Sequence, residues 1–387
     1  MIRRSVWAGI IAFALGGCSQ VNSLLVGTDN ALPPTELGTI EATVNPQARW
    51  QAQVGDGSDQ QTLALVPAVA GNRVFAASYD GVVVAFDTAT GSTVWQAATG
   101  LPISAGVGLS ADLVLFGTEE GEVVALDRGT GNPIWQVPVP SEVLAVPKVD
   151  EGVVVVRTID GSFTGLDVAD GNRLWLYAQP VPALTLRGLA APVLARGVAI
   201  AGLDTGKLMV LSLSDGRLVW DRTVAPPRGR TELDRLVDID AEPQLIDNAL
   251  YVSAYQGNVA AIDLQTGETE WRHELSSHAG LDVDDQRVYV TDDDDVIWAL
   301  DRNSGEVLWQ QDALKGRRLT APVIVNGTVV AGDFEGYLHW LQREDGQLAG
   351  RLRVDKTAIT VKPVVADDSV YVLNQNGTLS AVRIDED

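Results

Sequence analysis

The stretch Gly81-Val82-Val83-Val84-Ala85-Phe86-Asp87, followed by Gly91 and then Trp95, decides the fold. Val82 to Phe86 is a short apolar run of strand type. Asp87 closes it where a carboxylate can accept bonds from the amides of the following turn. The same order of residues returns from Gly121 to Asp127 with Gly131 and Trp135, and from Gly161 to Asp167 with Gly171 and Trp175. It returns from Gly206 to Ser212 with Gly216 and Trp220, from Gly257 to Asp263 with Gly267 and Trp271, and from Asp295 to Asp301 with Gly305 and Trp309. A seventh copy runs from Gly336 to Gln342 with Gly346, but Gly350 stands where the Trp is due; an eighth runs from Gly377 to Arg383, where the chain runs out.

Each copy has an upstream half. A strand opens near Pro67, Pro147, Pro192, Pro243, Pro322 or Pro363, a second follows (Val74 to Ser78, Val288 to Thr291), and a turn such as Asp80-Gly81 or Asn376-Gly377 supplies the positive φ of a tight hairpin. Four short strands in roughly 40 residues make one blade of a β-propeller. The eighth copy lacks a fourth strand, and the segment Arg49-Trp50-Gln51-Ala52 offers a spare one with Trp50 in the Trp register. The fold expected is all-β: an eight-bladed propeller of four-stranded blades, closed by an N-terminal strand that covers the open sheet edge. The Trp side chains are expected to fill the wedges between blades.

Composition agrees with this. The chain is 46% apolar with 38 glycines, β-branched runs such as Val153 to Val156 recur, and long amphipathic helical stretches are hard to find. Against 28 basic residues stand 51 acidic ones, a formal charge of −23, so a phosphate backbone is repelled and nucleic acid is excluded as a partner.

Cys18 is the single cysteine, which rules out an intrachain disulfide. It follows a short basic start (Arg3, Arg4), an apolar run from Val6 to Ala14 and the small residues Gly16 and Gly17, the order of a secretory signal. Leu15-Gly16-Gly17-Cys18 resembles the bacterial lipobox, which implies cleavage after residue 17 and acylation of Cys18. Ser19 rather than Asp follows the Cys, which by the sorting rule of Gram-negative lipoproteins implies the outer membrane. The domain reading is a cleaved signal over 1–17, a lipidated flexible tether over 18–45 that is polar and Pro-containing, and the propeller over 46–387.

The Ala-x-Asp-x-x-x-Gly-x-x-x-Trp repeat resembles that of the pyrroloquinoline-quinone (PQQ) dehydrogenase propellers. Within that group, a lipoprotein of this length resembles the BamB family of outer-membrane assembly factors, over roughly residues 46 to 387. The repeat is shared by enzymes and non-enzymes, so it speaks for the fold. Two segments are more specific: Leu184-Thr185-Leu186-Arg187-Gly188, and Asp234 to Asp240, similar to the loops through which BamB proteins contact the periplasmic domains of BamA. The resemblance thus implies a non-catalytic scaffold with a BamA-like partner, bound through Leu184, Leu186, Arg187, Asp238 and Asp240. Nascent outer-membrane proteins are a further implied contact.

Spacing points to the same loops. From each Trp to the next blade is usually 10 to 13 residues, but 17 separate Trp175 from Pro192 and 23 separate Trp220 from Pro243; the connection from Trp50 to Pro67 is also long, but it is Gly/Asp/Gln-rich and has no apolar anchor. The connections after Trp175 and Trp220 follow consecutive blades and so lie side by side on one face, where extra loop length tends to carry binding function. In an extended segment residues two apart point the same way, which would make Leu184 and Leu186 an apolar pair and Asp238 and Asp240 an acidic pair. The plainer alternative is that the leucines tuck inward and the aspartates solvate a loop.

Enzyme signatures are missing. A quinone-dependent dehydrogenase would use an adjacent Cys pair and a carboxylate-held Ca²⁺, and Cys18 has no companion. His273, His278 and His339 form no metal motif, and Asp292 to Asp295 occupies a hairpin turn where a solvated acidic turn is the expected role. No cofactor or metal is expected. A periplasmic propeller binding a ligand or peptidoglycan in its central channel is the alternative function, with the dehydrogenase behind it.

Overall fold

The computed structural model describes residues 33–59, 61–182, 184–186 and 190–385, and among them there is no helix. The signal segment, Cys18 and the chain up to residue 32 lie outside the described residues. The strands form eight four-stranded antiparallel sheets. Blade 1 comprises Ala68–Ala70, Arg73–Ala77, Val82–Asp87 and Thr93–Ala98, ordered from inner to outer strand. Blades 2 to 7 follow over 108–138, 148–178, 193–223, 244–274, 280–311 and 323–353. Blade 8 takes Val364–Ala366, Ser369–Leu373 and Thr378–Ile384 from the C-terminus and its outer strand, Pro46–Gln53, from the N-terminus. Trp50 pairs with Ala381 and Gln53 with Thr378, which closes the ring as the repeat count requires.

The middle strands of each blade are covered on both sides by neighbouring blades, so they read as continuous apolar runs; Val153, Val154, Val155 and Val156 are all buried. In blades 1, 2, 3, 5 and 6 the outer strand buries one residue, the Trp, and exposes most of the rest. A bulge precedes each Trp: Ala85 pairs with Trp95 but Phe86 with Thr93, leaving Val94 unpaired, and Arg49 is skipped in the same way before Trp50.

The Trp residues do more than fill space. Seven indole Nε1 groups donate to a backbone carbonyl of the following blade at 2.8 to 3.1 Å: Trp50 to Thr88, Trp95 to Arg128, Trp135 to Val168, Trp175 to Leu213, Trp220 to Leu264, Trp271 to Arg302 and Trp309 to Arg343. Each acceptor immediately follows the residue that closes a third strand. Where that residue is Asp, its carboxylate also holds the turn: Asp87 Oδ1 accepts from the amides of Ala89 and Thr90, and Asp127 Oδ1 from that of Thr130. These bonds hold both carboxyls below the usual carboxylate range, the Thr90 and Thr130 hydroxyls contributing most. The Gly four residues after the closing residue lies against the incoming indole. At Gly131, with φ +75°, an added Cβ would sit 2.5 Å from Trp95 Cε3, so the position excludes other residues on both grounds.

This geometry explains the missing Trp. Blade 8 has no hairpin between its third and fourth strands, because the fourth comes from the N-terminus; at Gly350 there is no turn for an indole to cap. Instead the incoming chain crosses that point. Thr43 and Val44 donate their amides to Ala349 O at 2.7 and 3.1 Å, and a Cβ on Gly350 would lie 2.7 Å from Val44 Cγ2. The bulk moves to the opposite strand, where Trp340 pairs with Gly350 and is buried.

The end of the expected tether is seated rather than free. Thr35 donates its amide to Lys315 O, Leu37 packs against the core of blades 6 and 7, and Val44 against that of blades 7 and 8. Beneath this strap lies a buried charge network. Arg317 Nη1 donates to Thr35 O at 3.1 Å and Nε to Asp333 Oδ2 at 2.8 Å, and Arg351 Nη1 donates to Gly38 O at 3.2 Å. His339 Nε2 lies 2.9 Å from the same Asp333 oxygen, and Arg351 Nε lies 3.3 Å from its Nδ1. Burial favours the neutral imidazole, in which Nδ1 accepts from Arg351 and Nε2–H donates to Asp333. The sequence of this strap carries no strand alternation, and two apolar anchors and backbone carbonyls do the holding.

A mature chain truncated to begin at residue 60 loses both the strap and the closing strand and uncovers the edge of Thr378–Ile384. It is expected to melt at lower temperature and to aggregate, read by calorimetry and light scattering. An unchanged melt would show that the ring does not depend on its N-terminal strand.

Candidate partner-binding face

Strands in each blade alternate in direction, so every connection between blades emerges on one face together with the turns between second and third strands. The two long connections, 179–192 and 224–243, are neighbours on that face. Thr35 reaches the same face, because its partner Lys315 lies in the connection between blades 6 and 7.

The second long connection is pinned from within. Val237 and Ile239 are buried in the core between blades 4 and 5. Ile239 donates its amide to Leu203 O at 3.3 Å and lies against Gly202, where an added Cβ would come within 2.3 Å of Ile239 Cγ2. Tyr255 donates its amide to Asp238 O at 2.7 Å, forming a short bridge to the turn of blade 5.

Asp238 therefore does not point outward with Asp240. Its side chain is fully buried, whereas Asp240 is half-buried. Asp238 Oδ2 accepts the amide of Leu186 at 3.4 Å, which ties one long connection to the other, and Oδ1 has no partner among the described residues. Burial pushes its carboxyl up to about 8, helped by the nearby charges of Asp204 and Asp240 and opposed by Arg157. Arg157 is itself buried, pairs with Asp204 and donates to Ala190 O at 3.4 Å. A neutral, buried Asp238 is suited to holding the neighbouring loop rather than to offering charge at the surface. The expectation of an outward acidic pair fails because the segment from 237 to 239 is enclosed on every side, which removes the two-residue alternation of a half-exposed strand.

Leu184 is 46% exposed and Leu186 is half-buried, so these two also differ in environment. Arg187 and Gly188 lie outside the described residues.

The acidic turn at 292–295 is not merely solvated. Asp292 Oδ1 accepts the amides of Asp294 and Val296, and its Oδ2 accepts Trp298 Nε1 at 2.7 Å. Asp293 bonds Ser276 and His278, and Asp295 accepts the amides of Arg318 and Leu319. Asp294 alone has an exposed carboxylate without a bond among the described residues. Sequence reasoning missed this lattice because several of its donors come from the connections on either side, Ser276 and His278 before the blade and Arg318 and Leu319 after it.

Fold and repeat together define a PQQ-like β-propeller with an elaborated connection face. A family model described as "Outer membrane protein assembly factor BamB" matches residues 15–98, 79–311 and 282–387. The chain belongs to the BamB family. It is 48% identical over 364 residues to the outer membrane protein assembly factor BamB of Alkalilimnicola ehrlichii, covering 94% of this chain and 95% of that one. It is also 48% identical over 374 residues to the Pseudomonas aeruginosa protein of that name, covering 97% of each. A crystal structure of BamB from Moraxella catarrhalis superposes with a TM-score of 0.81 at 31% identity, over 88% of this chain and all of that one.

The burial of Asp238 has a measurable consequence. Its folded-state pKa lies above the unfolded value, so the folded chain keeps a proton there that the unfolded chain gives up. Stability from this group is highest in acid and is lost as pH rises from about 4 to about 8. Asp238→Asn keeps an acceptor for Leu186 without the charge. It is expected to melt above the parent at pH 8, with the difference shrinking at pH 5; parallel melting curves at both pH values would refute the assignment.

Proposed function

We propose that the chain is a lipid-anchored, non-catalytic scaffold subunit of the outer-membrane β-barrel assembly machinery, held on the periplasmic side by acylated Cys18. Its long connections bind the periplasmic domains of a BamA-like partner. The observation that carries this reading is the bond from Leu186 N to Asp238, which joins the two lengthened connections into one surface. Membership of the BamB family, whose relatives are named as assembly factors, supports it. In this reading Leu184 offers the exposed apolar contact and Arg187 a planar hydrogen-bonding fork, the pairing typical of binding hot spots. Leu186 and Asp238 hold the surface in shape, and Asp240 lies at its border.

The test is capture of BamA from detergent-solubilised membranes through a tag on this chain, with a thermal melt for each variant. Arg187→Ala, and Leu184→Ala combined with Leu186→Ala, are expected to lose about thirtyfold in affinity with little change in melting temperature. Asp294→Asn is the matched control, since its carboxylate bonds nothing among the described residues. Full capture by the Arg187 and double-Leu variants would end the assignment.

The anchor is tested separately. Two or more acyl chains make attachment stable at about 0.8 kcal/mol per buried CH₂. Cys18→Ser, exported through a replacement cleavable signal, should become a soluble periplasmic protein with an unchanged melt. Palmitate label remaining on that variant would contradict acylation at Cys18.

A further inference from the structure

The connection between blades 4 and 5 carries a tip beyond its aspartates. Thr231 and Asp234 cap each other: Asp234 donates its amide to Thr231 Oγ1 at 3.0 Å, and its carboxylate accepts the amides of Thr231 and Arg230 at 3.1 and 3.3 Å. This is a capping box around a single turn, Thr231-Glu232-Leu233-Asp234. Gln256 Nε2 donates to Leu233 O at 3.3 Å and fastens the turn to blade 5. Leu233 is nonetheless 68% exposed, more than any other large apolar residue that lies open among the described residues.

Three arginines flank it. Arg228, Arg230 and Arg235 are exposed, and their side chains make no hydrogen bond or ion pair among the described residues. Arg173, Arg217, Arg272 and Arg318 are likewise exposed without a side-chain bond among the described residues, but they are scattered, whereas here three such arginines fall within eight residues. Elsewhere Arg49 pairs with Asp385, Arg157 with Asp204, Arg302 with Asp247 and Arg343 with Asp284. Of the acids on the tip, Asp234 is engaged in the turn, which leaves Glu232 against three cations.

We infer that this tip is a second contact patch on the same face: Leu233 enters an apolar cleft of the protein partner, and Arg228, Arg230 and Arg235 meet carboxylates around it. The inference rests on the reading of this face as the BamA-binding surface and adds the chemistry of the partner, an acidic rim around an apolar cleft. Charge complementarity selects that occupant. A lipid surface fits less well, because the whole chain carries −23 and the tip offers one leucine and no aromatic residue. The capped turn presents the patch already ordered, so little conformational freedom is lost on docking.

The experiment uses the mature chain carrying Cys18→Ser, with purified BamA periplasmic domains and, separately, phosphatidylglycerol vesicles as probes. Leu233→Ser is expected to weaken BamA binding about thirtyfold. Arg228→Gln, Arg230→Gln and Arg235→Gln together should weaken it about tenfold and flatten its dependence on salt. Melting temperatures should stay unchanged, since none of these side chains is in the core. If the parent binds and Leu184→Ala with Leu186→Ala weakens binding about thirtyfold, while the tip variants keep full affinity and salt slope, the tip is no contact and the inference falls alone. If the parent does not bind BamA, the proposed function falls with it. Vesicle binding that the arginine substitutions abolish, with BamA affinity intact, would reassign the tip to lipid.

Discussion

An indole donating into the next blade's turn is the interaction on which this ring depends. Each of the seven Nε1 bonds joins the outer strand of one blade to the residue after the third strand of the next. One buried hydrogen bond contributes about 1 kcal/mol, and the indole adds the burial of a large apolar surface. Gly131 and its counterparts follow from it, since only an absent side chain lets the indole approach the turn. The repeat Asp-x-x-x-Gly-x-x-x-Trp is therefore two half-junctions read along one chain: the Asp and Gly receive an indole from the blade before, and the Trp is delivered to the blade after.

The seam shows the same rule by its exception. Where the last blade borrows its outer strand, no turn exists to be capped, and Gly350 makes room for Val44 while Trp340 supplies the bulk from across the sheet. The strap that crosses there is held by Arg317 and Arg351, both tied into the buried Asp333–His339 pair. The ring is closed twice, by strand pairing and by a belt of backbone acceptors over buried cations. The belt also places Thr35 on the face that carries the long connections.

On that face a rigid frame supports sparing elaboration. Val237 and Ile239 are core residues within a connection, and Asp238 between them links to the neighbouring loop. The acidic turn at 292–295 is likewise absorbed into structure, its carboxylates capping turns and an indole. Among the described residues of these loops, the large apolar side chains left open are Leu184 and Leu233, the latter with arginines around it.

Local chemistry made much of this legible. Glycines, closing aspartates and tryptophans recur at fixed spacing because every blade meets identical neighbours, so the all-β class, the eight blades and the closing strand at Trp50 follow from the sequence by itself. Loop length together with apolar content singled out the two connections. Tertiary structure alone decided which side chains those connections present. Asp238 and Asp240 look alike in sequence, yet one is enclosed by a bridge to Tyr255 and the other is not. The strap from Thr35 to Val44 reads as a tether because its partners, Lys315, Arg317 and Ala349, lie some three hundred residues away in the chain. Repetition writes short-range contacts into sequence; contacts that occur once, between distant segments, leave no period to read.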